Sequence, residues 1–118
     1  MVHEKITKDL VGEKLSSVTF VLDYLQLDFD GNRFTMFVWP IILSENEKAV
    51  YGEDQYRNRL CSLIAKVVTR IDYVEDVFLN IVFDETNQIR WPINPDNPDI
   101  IAEIGIYKNI EEEWFFFQ

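Results

Sequence analysis

A chain of 118 residues that is 47% hydrophobic and 14% aromatic can bury one core and is too apolar to remain disordered. Its formal net charge of -10, from 21 acidic and 11 basic residues spread along the length, repels phosphate backbones and anionic lipid heads, so nucleic acid and membrane surfaces are excluded as natural partners. With Cys61 as the only cysteine and His3 as the only histidine, an intramolecular disulfide cannot form and nitrogen–sulfur metal sites lack ligands.

The N-terminal MVHEKITKDL is charged and lacks an apolar centre, and no apolar run reaches the ~18 residues that span a bilayer. A cytoplasmic protein without metal or cofactor is expected. Within residues 1 to 13, Ile6, Leu10 and Val11 can lay a short amphipathic turn on the core before Gly12 breaks it. From Leu15 the period becomes two, with Val18, Phe20 and Leu22 on one face. The apolar set then shifts parity to Leu25, Leu27 and Phe29, which a regular strand cannot do, so Asp23 and Tyr24 mark a turn or bulge. Asp30-Gly31 tolerates the positive φ of a tight hairpin turn, and Arg33 to Trp39 returns as a third strand ended by Pro40. The first three-stranded meander thus spans about residues 15 to 41.

Residues 42 to 53 read as a polar loop. Tyr56, Leu60, Leu63, Ile64 and Val67 then form one continuous stripe at helical spacing. Glu53 and Asp54 precede it and Lys66 and Arg70 close it, as the helix dipole favours, so a helix is predicted over residues 54 to 69. A second meander follows over residues 71 to 93. Ile71-Asp72-Tyr73-Val74 repeats the types of Val18-Thr19-Phe20-Val21, and Trp91-Pro92-Ile93 repeats Trp39-Pro40-Ile41. Asn94 to Asp99 reads as a turn. Residues 100 to 107 read as a short strand or one helical turn, and residues 108 to 118 as an acidic-aromatic tail ending in Trp114, Phe115, Phe116 and Phe117.

Chemistry-bearing patterns are sparse. Asp28-x-Asp30-Gly31-Asn32 has a calcium-loop look, but its glycine stands fourth and Trp39 occupies the twelfth position, so a hairpin turn is the better reading. Cys61 flanks the helical stripe with no basic partner in the sequence pattern and reads as a packing residue. The pairs Asp23 with Asp76 and Asp28 with Asp30 read as solvated turn residues rather than a general acid and base. No residue is assigned a catalytic or metal-binding role. The candidate ligand- or partner-binding residues are Trp39 and Trp91, which could wall a cleft between the repeats, and the tail aromatics Trp114, Phe115, Phe116 and Phe117, which must dock on something.

Leu10-Val11-Gly12, the hairpin from Leu25 to Gly31, Trp39-Pro40, and a helix bearing Tyr56-Arg57 and Leu60-Cys61 give a layout that resembles small bacterial proteins of the domain-of-unknown-function type over residues 10 to 107. These motifs are structural, so the resemblance carries no active site across, and the tail after Lys108 departs from the pattern.

The expected fold is a single α+β domain: two three-stranded antiparallel β-meanders, related as a pseudo-repeat, joined by one long amphipathic helix packed on a curved sheet. The expected function is a non-enzymatic protein-interaction or assembly module, with a protein partner or a homodimer. The alternatives are an acidic immunity-type inhibitor of a basic toxin and a small-ligand binder in the cleft between the repeats.

Overall fold

In the computed structural model, which describes residues 2–94 and 103–118, side-chain alternation around Leu25, Leu27 and Phe29 builds the first strands. They are β1 (Ser17–Phe20), β2 (Leu25–Phe29) and β3 (Asn32–Met36), paired antiparallel in sequence. Asp30 and Gly31 both take positive φ, 55° and 103°, and turn β2 into β3. Residues 42 to 53, read above as a loop, instead contain a hairpin of β4 (Ile41–Ser44) and β5 (Glu47–Ala49). Its turn residues Glu45 and Asn46 sit at φ 45° and 68°, a conformation normally signalled by glycine.

The expected α+β arrangement is corrected. Strand far outweighs helix among the described residues, and the helices are short: α1 (Val2–Leu10), which buries Ile6 and Leu10, and α2 (Tyr56–Cys61). The long helix over 54 to 69 does not form. Tyr56, Leu60 and Leu63 are buried as its stripe requires, but Ala65 adopts φ 78° and donates its N–H to Leu15 O at 2.7 Å. From there the chain runs beside residues 12 to 15. Leu15 N–H donates to Lys66 O, Val68 N–H to Glu13 O, and Gly12 N–H to Val68 O. These main-chain partners draw Val68 into the core and leave Ile64 and Val67 exposed, so tertiary pairing overrides the local helical pattern. Cys61 is exposed rather than packed.

Three more antiparallel strands follow, β6 (Arg70–Val74), β7 (Phe78–Val82) and β8 (Asn87–Pro92), and Pro92 stays inside its strand opposite Phe78. The segment 108 to 118 is no appended tail: β9 (Gly105–Lys108) and β10 (Trp114–Phe117) form a hairpin. From residue 95 on, the expected turn lies outside the described residues, as does the start of the segment expected at 100.

Two five-stranded antiparallel sheets result, ordered β1-β2-β3-β9-β10 and β5-β4-β8-β7-β6, instead of one curved sheet. Among the described residues each half runs helix and then five strands, and each half's closing hairpin joins the sheet started by the other half. β4 pairs with β8, and β9 pairs with β3. Among the described residues no helix is long and apolar enough to cross a membrane.

The sheets meet over Trp91, which is fully buried on β8. Its ring makes edge contacts with Phe34 and Phe117 of the opposite sheet, with centroids 5.7 and 4.9 Å away, and its indole N–H donates to Val38 O at 3.1 Å. Gly105 lies beneath it. A Cβ there would fall well under 3.0 Å from both Thr35 O and the Trp91 ring. Gly105→Ala should therefore lower stability by about 1–3 kcal/mol through overpacking, read as a shift of the urea midpoint at unchanged slope.

The β7–β8 turn is tied by Asp84, whose carboxylate accepts from the Asn87 side chain, from the Thr86 and Asn87 main-chain N–H groups and from the Thr86 hydroxyl, all at 2.9–3.0 Å. The Asn87 amide first, and then the Thr86 N–H, lower the Asp84 pKa from the usual 3.8 to about 2. A depressed carboxylate stabilises the fold fully above its unfolded pKa, and that contribution is lost as pH falls through the folded value. Urea midpoints between pH 4 and pH 2 should fall less steeply for Asp84→Asn than for the parent chain.

Candidate functional site

The β9–β10 hairpin is held from its turn. Asn109, buried, accepts at Oδ1 from the N–H groups of Glu111 and Glu113 at 3.1 and 2.9 Å, and Glu112 adopts φ 64° to let the chain reverse. Asn109 Nδ2 reaches Glu113 Oε1 at 2.8 Å and Asp9 Oδ2 at 3.1 Å. The Tyr107 hydroxyl donates to the same Asp9 oxygen at 2.8 Å, and Lys5 Nζ bridges Asp9 and Glu113 at 3.8 and 3.1 Å. Burial first, and then the bond to Asp9, push the Tyr107 phenol upward, so it stays protonated and donates. The Asn109 amide and then Lys5 hold Glu113 below the ordinary glutamate range. From the other side, buried Asn32 accepts from the Ile110 N–H at 2.9 Å. Helix α1 and the β2–β3 turn together fix the hairpin to the first sheet.

That anchoring sets which way β10 faces. Glu113 O accepts from Asn109 N–H and Phe117 O from Ile104 N–H, so residues 113, 115 and 117 direct their main-chain groups toward β9. By strand alternation the N–H and C=O of Trp114 and Phe116 point to the outer edge. Among the described residues, no strand pairs with that edge. The side chains divide as well. Phe117 is buried against Trp91, and Phe115 is half-buried and stacked on Tyr107 at 5.9 Å. Trp114 is 54% exposed and Phe116 60%, with their rings stacked 6.4 Å apart. Ladder register continues this outer face inward as Trp114–Lys108–Arg33–Asp28 and Phe116–Ile106–Thr35–Gln26. Lys108 Nζ lies 5.2 Å over the Trp114 ring.

The other edges are guarded. β6 carries the Arg70–Asp72 ion pair at 2.8 Å and lies beside α1, where His3 stacks on Tyr73 at 5.0 Å. β5 presents Glu47 and Lys48, with Arg59 bonded to Glu47. β1 exposes Ser17 and Thr19, and Arg57 covers its Phe20 ring at 5.7 Å. Charge and cover of this kind are how sheets avoid unwanted pairing. β10 has no charged residue.

The sequence-derived candidates therefore separate. Trp114 and Phe116 stand together on the open edge, whereas Phe115 and Phe117 face inward. Trp91 fills the seam and walls no cleft. Trp39, half-buried, lies elsewhere, with Tyr51 stacked on it at 3.9 Å. That aromatic group, absent from the sequence reading, borders a shallow hollow of about 370 Å³ lined by Phe20, Tyr51, Tyr56 and Arg57 among others. The Tyr56 hydroxyl donates to Pro40 O at 2.5 Å, and burial pushes its phenol above the usual tyrosine range, so it stays protonated. Lys108 and Arg33 also escaped the sequence reading, because only the β3–β9 register brings them beside Trp114. Among the described residues no three His, Cys, Asp or Glu side chains gather where they could hold a metal ion.

No protein-family model, no curated protein and no solved structure matches this chain.

The inward and outward aromatics should respond differently to truncation. Phe117→Ala removes a ring packed on Trp91 and should cost about 3 kcal/mol or more, whereas Phe116→Ala should stay within about 0.5 kcal/mol. Thermal and urea unfolding of the two variants, side by side, measures the contrast.

Proposed function

We propose that this chain is a non-enzymatic protein-interaction module that takes an extended segment of a partner onto the outer edge of β10. One observation carries the reading: among the described residues, Trp114 and Phe116 present main-chain groups to an edge that no strand pairs, with exposed rings, on a strand whose other residues pack inward. Strand addition uses these two elements, main-chain hydrogen bonds for affinity and alternate side chains for selectivity. The rings supply apolar contact at small entropic cost, since each has few rotatable bonds. The filled seam around Trp91, Phe34 and Phe117 favours this reading over a ligand cleft between the repeats.

Phe116→Pro deletes the outward N–H while leaving the pairing with β9 intact. Random extended peptides selected by display against the immobilised full chain should slow hydrogen exchange at the Trp114 and Phe116 amides. They should lose at least about tenfold in affinity for Phe116→Pro, which removes one good hydrogen bond together with the exposed ring. Selected peptides that hold the variant equally well, or that protect a different surface, would overturn the reading.

A further inference from the structure

The edge of β10 is complementary to itself, and we infer that its occupant is β10 of a second copy of this chain, paired antiparallel about a two-fold axis. The inference rests on the strand-addition reading and names its partner.

The register follows from which residues face out. Within β10 only Trp114 and Phe116 direct main-chain groups to the free edge. An antiparallel partner satisfies both residues of both copies, and keeps every pair inside the strand, when Trp114 of one copy stands opposite Phe116 of the other. Trp114 N–H then donates to Phe116 O of the second copy, whose Phe116 N–H donates back to Trp114 O. The two-fold repeats the exchange at the other end. Centring the axis on Trp114 would instead set Phe116 against Glu112, which has left the strand at φ 64°. Centring it on Phe116 would set Trp114 against Gln118, outside the strand.

Side chains and charges agree with that register. Aromatic cross-strand pairs stabilise antiparallel ladders, and here each tryptophan faces a phenylalanine. β10 itself is uncharged, and antiparallel pairing sends the two Glu111–Glu113 runs to opposite ends of the interface. What remains is the diffuse repulsion between chains of net charge -10, which salt screens over a length of about 10 Å at 0.1 M. Pairing between isologous edges closes on itself, so it yields a dimer and not a fibre. The contact is small, so the dimer is concentration dependent in the micromolar to millimolar range, and added salt strengthens it.

Sedimentation of the full chain over that range should show dimer rising with concentration and with salt, and Phe116→Pro should stay monomeric while keeping the parent's melting curve. Register is read independently by disulfide trapping in a Cys61→Ser background, with substitutions at exposed positions. Trp114→Cys mixed with Phe116→Cys should cross-link, because facing Cα atoms lie about 5.5 Å apart. Each alone should not, since like positions are then roughly 8 Å apart. A dimer that survives Phe116→Pro, or cross-links that form equally within each single variant, would overturn the inference. A chain monomeric at every concentration that still takes selected peptides on β10 would overturn the second copy alone and leave strand addition standing. A monomer that takes none would overturn both.

Discussion

The indole of Trp91 is the wedge on which both sheets rest. It belongs to one sheet, packs on Phe34 and Phe117 of the other, and satisfies its N–H on the Val38 carbonyl. A buried tryptophan is stable only when its polar atom has a partner, so this single side chain fixes three strands and a connecting segment at once. Gly105 is the counterpart. Its missing side chain lets β9 approach the wedge, and β10 takes its place beside β9.

The path of the chain explains why the wedge matters. Each half forms a local meander, yet its closing hairpin crosses to the other sheet, so neither sheet is complete until both halves are present. β9 pairs with β3 across most of the chain. Such non-local pairing incurs its loop-closure entropy before contacts repay it, which makes folding slow and the halves mutually dependent. The polar ties from Lys5 and Asp9 to Asn109 and Glu113, and from Asn32 to the Ile110 N–H, join the early elements of the chain to the last hairpin. They put the final strand in a fixed position instead of leaving it frayed.

Local pattern carried what is local. Leu25, Leu27 and Phe29 alternate because one sheet face is buried, and Asp30-Gly31 turns because both residues accept positive φ. The failures lie where distant main-chain groups decide. Residues 54 to 69 carry a helical stripe, but Leu15, Glu13 and Gly12 capture the main chain from Ala65 onward, and no helical periodicity announces that. The β4–β5 hairpin hides because its turn is Glu45-Asn46, which pays a steric cost that glycine would avoid. At the candidate site the four aromatics were visible as a group. Their division into an inward and an outward pair required the register with β9, and the cations beside Trp114 required the register with β3.

Comparison of the two halves isolates a difference between their closing edges. β5 and β10 hold the same place in their halves: each is the last strand of a closing hairpin and an edge of its sheet. β5 is three residues long, with charged Glu47 and Lys48 both exposed and Arg59 clamped to Glu47. β10 is four residues long and wholly aromatic, with two rings in water. If scaffold stability alone had set these sequences, the β5 solution would serve both positions, since exposed aromatics on an open edge invite pairing and charges prevent it. Packing accounts for Phe115 and Phe117, which cover Tyr107 and Trp91. It does not account for Trp114 and Phe116, which contribute little to the core and leave the edge adhesive. Among the aromatics of β10, those two are the ones that core packing does not account for, which is why the strand-addition proposal rests on them.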